Sequence, residues 1–120
     1  HYIGFRDDVE HVYAAADVVV CASDFESYGK ANLEAMACGT PVVSTRRGGP
    51  SETVVDGETG YLVDAGDATG LVHNVLTLLR DVTLRQTIGN AGRQHVLERF
   101  SASASATAYM TQFDALLADT

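Results

Sequence analysis

Residues Asp24 to Ser44 read DFESYGKANLEAMACGTPVVS, and the order of residue types is that of a loop, a helix and a strand. Tyr28 to Cys38 is rich in helix formers, with Ala31, Leu33, Glu34, Ala35, Met36 and Ala37 in one run. Gly39 supplies the left-handed residue that ends a helix, and Pro41 two positions later prevents its return. Pro41-Val42-Val43-Ser44 is short, β-branched and apolar, the pattern of a buried parallel strand. The stretch before this segment, Asp17-Val18-Val19-Val20-Cys21-Ala22-Ser23, is a continuous apolar run that predicts a central strand. It delivers the chain to the turn at Glu26, at the carboxyl end of a parallel sheet, where open α/β sheets bind ligands.

The chemistry of the segment sits at the front of its helix. Phe25-Glu26-Ser27-Tyr28-Gly29-Lys30 leaves a strand and enters a helix, and the first turn of a helix carries backbone N–H groups without partners. Those donors and the positive end of the helix dipole suit a phosphate. Gly29 lets the backbone approach such a ligand, and Lys30 adds a cation beside it. Glu26 and Glu34 bracket the turn, and eight residues of helix rise ~12 Å. A ligand gripped by both would be long, with an anion in its middle and hydroxyls at both ends, which is the shape of a nucleotide diphosphate sugar. The spacing alone does not choose this reading, because an acid-rich chain can also place one Glu against the helix dipole and another on a solvated face.

Outward from that segment, His1-Tyr2-Ile3-Gly4-Phe5 reads as a short strand. A helix from about Asp8 to Ala16 follows, capped by Asp7 or Asp8, with Val9, Val12 and Tyr13 on one face and His11 on the polar side. Downstream, Thr45 to Pro50 is a loop on the same sheet edge. Arg46 and Arg47 there could reach a phosphate or an acceptor, although most loop arginine pairs are only solvated. Gly48-Gly49 marks backbone with unusual dihedrals, and Pro50 starts a short helix over Ser51 to Val55. Asp56 to Thr59 is a turn and Gly60 to Val63 another short strand. About four strands alternating with helices imply an α/β fold with a parallel sheet and flanking helices. Beyond it, Asp67 caps a helix with a wide stripe of Leu71, Val72, Val75, Leu76, Leu78 and Leu79. A second helix from about Val82 to Phe100 places Leu84, Ile88, Ala91 and Val96 at helical spacing. Gly89 and Gly92 weaken that helix or allow close packing, and His95 is partly buried beside the apolar face. Ser101 to Ala106 opens a closing α-helical tail with Tyr109, Met110, Phe113, Leu116 and Leu117 on one side.

A net charge of −8, with no basic cluster beyond Arg46-Arg47, argues against nonspecific nucleic-acid binding. An acidic domain that binds an anion must do so through amides and a few cations, as the helix front would. Apolar content of 46% with 20% charged residues is ordinary for a globular domain of this length. No run approaches a membrane span, and no basic-then-apolar signal opens the chain. The chain begins at His1, directly in a predicted strand, as an excised piece would. Cys21 and Cys38 fit no metal spacing and are expected as buried free thiols, so a cytoplasmic location is expected. No metal site is expected.

Glu-x-Tyr-Gly-x₄-Glu-Ala-Met-Ala-x-Gly-x-Pro-Val-Val, followed by Gly-Gly-Pro-Ser-Glu and Asp-Gly-Glu-Thr-Gly-Tyr-Leu-Val, resembles the second half of a retaining GT-B glycosyltransferase of the group 1, or glycosyltransferase family 4, type. The resemblance runs over nearly the whole chain. It implies a partial Rossmann-like donor domain over residues 1–100, lacking its first strands, and a helix over residues 101–120 that crosses to a missing N-terminal acceptor domain. It implies hexosyl transfer from a UDP-, GDP- or ADP-sugar to a glycan, lipid or small-molecule acceptor, without metal or cofactor. Peripheral membrane attachment stays open for the full-length enzyme. Carried over by residue, Glu26 lies beside the donor sugar and phosphate as the candidate catalytic residue, a binder and orienter more than an acid–base group. The amides of Ser27, Tyr28, Gly29 and Lys30 receive the diphosphate, and Glu34 holds the ribose hydroxyls. Gly4, Phe5 and Arg6 would touch the nucleobase, the alternative being a core Phe5 and a solvated Arg6. Retention is expected by same-face attack with the leaving phosphate as base. The Arg and Lys that neutralise that phosphate belong to the early strands, and Lys30 and Arg46 do not occupy their positions. The 120-residue chain alone is therefore expected to hold donor weakly and turn over nothing. A reading from another class is a non-catalytic nucleotide-binding or interaction module that assembles with a separate chain.

Overall fold

All four residues of the strand Val42–Thr45 are buried, as the apolar run at its start predicts, and the other elements are layered on its two faces. The computed structural model describes residues 1–118; residues 119 and 120, which the sequence reading includes in its closing segment, lie outside the described residues. In chain order the elements are α1 (Val9–Ala15), β1 (Val19–Cys21), α2 (Lys30–Ala37), β2 (Val42–Thr45), α3 (Pro50–Thr53), β3 (Tyr61–Val63), α4 (Ala68–Arg80), α5 (Val82–Arg99) and α6 (Ala102–Ala118). The sheet is parallel, in the order β1-β2-β3, with Val19 opposite Val42 and Val43 opposite Tyr61.

Alternation along β2 divides the core. Val42 packs with Leu33, Ala35, Met36, Val54, Leu62 and Val96 on the α2 side. Val43 packs with Leu78 and Ile88, beneath Leu71, Val75 and Leu84 of α4 and α5, on the other. Successive side chains of a strand point to opposite faces, so one strand anchors both layers. Helix α5 reaches across to α2 because Gly89 and Gly92 leave room. A Cβ on Gly89 would stand 2.2 Å from the Gly39 carbonyl oxygen. Arg93 of α5 donates to the Ala37 carbonyl at 2.8 Å, satisfying one acceptor at the carboxyl end of α2. Gly39 ends that helix with φ +78°, as expected.

Several sequence expectations are corrected. Among the described residues three strands form rather than about four. Residues 1–5 are not a strand, since among the described residues no strand lies alongside to take their hydrogen bonds, and Tyr2 and Phe5 are almost fully exposed. With nothing paired on its outer side, β1 is an edge strand of the described sheet, and β2 is the central one. Asp8 is the residue before α1, but its carboxylate does not cap the helix because Arg6 engages it at 2.7 and 2.8 Å. The apolar stripe of α4 is narrower than its composition suggests: Leu71, Val75 and Leu78 turn inward, whereas Val72, Leu76 and Leu79 are exposed. Gly49 has ordinary helical dihedrals, and only Gly48 of that pair has positive φ. The Asp67 cap of α4, donated to by the Gly70 amide at 2.9 Å, matches expectation. On α6, Tyr109, Met110, Phe113, Leu116 and Leu117 are exposed.

Candidate functional site

The carboxyl ends of β1 and β2 and the front of α2 meet in one place. Gly29 precedes α2 with φ +80°, a conformation that favours glycine because it has no Cβ. This turn sets the start of α2. The Gly29 N–H donates to Glu26 Oε1 at 3.3 Å, closing the loop over itself. The first intrahelical bond begins with the Leu33 amide on the Gly29 carbonyl, so the amides of Lys30, Ala31 and Asn32 have no intrahelical partner. Of the expected Ser27 to Lys30 amides, that of Gly29 is engaged by the Glu26 carboxylate. Ser27 and Tyr28 lie exposed at the rim.

Glu26 is half-buried and fixed through its backbone: its N–H donates to the Arg47 carbonyl at 3.3 Å, and its own carbonyl accepts from the Gly49 N–H at 2.8 Å. The loop after β2 is thereby tied to the loop after β1. Gly49 makes this approach possible, since a Cβ there would stand 2.5 Å from the Tyr28 backbone. Beside these groups lies a cleft of about 340 Å³, lined by Val20, Cys21, Ala22, Ser23, Glu26, Gly29, Ala31 and Asn32.

Glu34 is the fifth residue of α2, so only the latter part of the Glu26–Glu34 interval is helical. Its carboxylate is half-buried, accepts from the Tyr13 hydroxyl at 3.3 Å and pairs with Lys30 Nζ at 3.4 Å. Burial raises the Tyr13 hydroxyl above its ordinary pKa, and the negative Glu34 reinforces the rise. Cys21 is raised as well, first by burial and then by the Glu26 charge, which keeps this cleft-wall thiol protonated and a poor nucleophile. Both cysteines are free and half-buried rather than fully enclosed.

Other candidates are placed differently. Gly4, Phe5 and Arg6 do not line the cleft; Phe5 is exposed, and Arg6 is held by Asp8. Of the loop arginines, Arg46 is committed to structure, with Nε 2.8 Å from Asp64 and Nη2 donating to the Leu62 carbonyl at 3.1 Å. Arg47 is exposed. Among the described residues no group of three His, Cys, Asp or Glu side chains is gathered as for a metal ion, and no helix is long and apolar enough to cross a membrane. Two contributors were missed by sequence reasoning. The sequence places Tyr13 on one face of the first helix with Val9 and Val12 and does not show its bond to Glu34. Asn32 was not singled out, although a lone amide among Ala, Leu and Met on a helix that faces a sheet is itself a signal.

The family model for glycosyl transferases group 1 matches residues 1–95. The chain belongs to that family. It is 37% identical over 118 residues to the N-acetyl-alpha-D-glucosaminyl L-malate synthase of Bacillus anthracis, covering 98% of this chain and 31% of that protein. It is similar in structure to the sucrose-phosphate synthase of Thermosynechococcus elongatus, with a TM-score of 0.82 and 37% identity over 93% of this chain and 28% of the other. It is also similar to HepE of Anabaena in complex with UDP and glucose, at TM-score 0.85 and 30% identity over 93% of this chain and 31% of the other. The chain spans about a third of the length of these relatives, 31% of the Bacillus protein, so this group 1 glycosyltransferase segment corresponds to a part of each. Those solved neighbours establish the fold as that of GT-B glycosyltransferases.

Proposed function

We propose that this chain is the donor-binding part of a retaining, metal-independent glycosyltransferase of family 4, working with a nucleotide diphosphate sugar at a cleft shared with an N-terminal acceptor domain. The observation that carries the proposal is the helix front: three unpartnered amides at Lys30, Ala31 and Asn32, flanked by Glu26 on one side and Glu34 on the other. Amides fixed at the positive end of a helix stabilise a diphosphate without a cation. Glu26 borders the cleft and would orient the sugar, whereas Glu34, held by Tyr13, would take the ribose hydroxyls. The HepE structures with UDP and UDP-glucose support a nucleotide sugar as ligand.

In this reading retention follows from attack on the face the phosphate leaves, with that phosphate accepting the proton; Glu26 positions the sugar and does not shuttle protons. Residues 1–100 form the donor part, and α6 belongs to the contact with the acceptor domain. The enzyme is cytoplasmic. The isolated 120-residue chain binds donor weakly and transfers nothing, because the basic pair expected to neutralise the leaving diphosphate is not among its residues. Titration with UDP, GDP and ADP and their sugar conjugates, read by amide NMR shifts, tests this. Shifts centred on residues 27–34 for one base above the others are expected. No shift at millimolar ligand overturns donor binding by this chain, and sugar transfer by the purified chain alone overturns its predicted inactivity.

A further inference from the structure

Asn32 is completely buried, yet only half of its amide is satisfied. Its Nδ2 donates to Ser44 Oγ of β2 at 2.9 Å, whereas Oδ1 has no partner. Turning the amide over does not resolve this. Ser44 Oγ donates to the Thr45 carbonyl at 3.2 Å, so it is an acceptor toward Asn32. With the amide reversed, Ser44 would have to abandon that bond, and an NH2 group would be left stranded instead. One polar atom of Asn32 is orphaned in either orientation. A buried acceptor without a donor bears its whole desolvation cost, and native interiors seldom keep one without a use.

Asn32 lies at the front of α2 and borders the cleft shared with Glu26, Ser23 and Cys21. Glu34 is not part of that cleft, so Asn32 stands on the Glu26 side of the helix front. A phosphate has only acceptors at neutral pH and cannot satisfy Oδ1. A hydroxyl can, and the hydroxyl-bearing part of the ligand on the Glu26 side is the sugar. On the donor-binding reading given above, on which this step rests, we infer that Asn32 is a specificity-determining residue: when donor binds, the cleft floor shifts enough to uncover its Oδ1, which is closed off in the free chain, and Oδ1 accepts a hydrogen bond from a hydroxyl of the donor sugar. The Ser44 bond holds the amide in the orientation this requires.

The test compares each variant's affinity for a bare nucleotide with that for its sugar conjugate, using UDP and UDP-glucose, GDP and GDP-mannose, and ADP and ADP-glucose as probes of the 120-residue chain. Asn32→Ala is expected to weaken the preferred conjugate by roughly five- to fifteenfold, the value of one buried hydrogen bond, while the bare nucleotide changes less than about twofold. Because each variant serves as its own control, a general loosening of the fold moves both ligands together and does not mimic this result. Ser44→Ala keeps Oδ1 and removes its support, so it should give a smaller loss in the same direction. Equal losses for nucleotide and conjugate, or an unchanged ratio in a folded Asn32→Ala, overturn the assignment and make Asn32 a structural amide. If the unaltered chain binds no nucleotide at all, the donor-binding reading fails first, and this inference falls with it.

Discussion

The hydroxyl of Tyr13 on α1 donates to Glu34 on α2 at 3.3 Å, a bond that ties the start of the chain to a carboxylate on the helix that carries the site. Lys30, one turn earlier on α2, pairs with the other oxygen of the same carboxylate. Glu34 is therefore aimed and not merely solvated. Tyr13→Phe should lower nucleotide affinity severalfold by releasing that aim, at a stability cost of about 0.5–1.5 kcal/mol. Glu34→Ala should weaken binding by about 1–3 kcal/mol, more than Tyr13→Phe does. It should also cost some stability by leaving the Tyr13 hydroxyl unpaired. Isothermal titration and thermal melts of the two variants check the order; a Tyr13→Phe chain that binds as tightly as the original would show that the bond does not position Glu34.

Glu26 takes part in three links: its backbone to Arg47 and Gly49, and its carboxylate to the Gly29 amide. The backbone links survive any side-chain change, so Glu26→Gln should fold normally. It keeps a carbonyl oxygen for the Gly29 amide but loses the charge. The expected result is a loss of about tenfold for the sugar conjugate, the scale of one charge-assisted hydrogen bond, with little change for the bare nucleotide. A uniform loss for both ligands would instead place Glu26 against the phosphates.

Arg46 and Arg47 are adjacent in sequence and opposite in role. Arg46 holds Asp56 and Asp64, on the loops flanking β3, and the Leu62 carbonyl of β3 itself. Those ion pairs are partly exposed, so Arg46→Ala should cost no more than about 1 kcal/mol of stability and leave nucleotide affinity unchanged. Arg47→Ala should leave stability unchanged. If Arg46→Ala abolishes nucleotide binding in a folded chain, the ion pairs break on binding and the arginine turns to the ligand.

What the sequence made legible follows from how local each cause is. The helix α2, its glycine stop and the strand β2 could be read because propensity, the left-handed residue and the apolar run all act within a few residues. Strand formation at residues 1–5 could not, because a strand exists only with a neighbour, and apolar residues alone do not supply one. The same limit explains why β1 was read as central. The Glu26–Glu34 pair was visible as spacing, but the engagement of the Gly29 amide by the Glu26 carboxylate is a hydrogen bond that no spacing encodes. The half-satisfied Asn32 is likewise a property of packing against Ser44, which no local pattern encodes.

Alkaline pH should loosen the region around the cleft in two steps. Cys21 and Tyr13 both have folded pKa values raised above their ordinary values of 9.0 and 10.0, chiefly by burial. A raised pKa means that the unfolded chain gives up its proton first. The stability from each protonated group is thus complete below its unfolded value and lost as pH rises through the folded one. Thermal midpoints measured from pH 7 to 11 should hold until about pH 9 and then fall. Cys21→Ala should remove the earlier part of the decline and Tyr13→Phe the later part. An alkaline slope identical in all three chains would show that these groups do not titrate against the fold.

The close approach of the two site loops rests on Gly49, and it can be separated from backbone strain. Gly48 combines a φ of +85° with a Cβ position 2.2 Å from the Glu26 carbonyl oxygen, so substitution there mixes two penalties. Gly49 has φ −51° and ψ −37°, which alanine adopts freely, but its Cβ would lie 2.5 Å from the Tyr28 carbonyl carbon. Gly49→Ala therefore tests contact alone. It should cost about 1–3 kcal/mol, as overpacking does, and should push the Phe25 to Lys30 loop off the α3 start, so that nucleotide affinity falls with stability. Gly57→Ala is the matching control: its φ of +80° carries strain, but nothing lies within 4 Å. It should lose stability of about 1–2 kcal/mol with nucleotide affinity intact. If Gly49→Ala melts and binds like the original chain, the loops after β1 and β2 do not touch in solution, and the helix front is not braced by its neighbour.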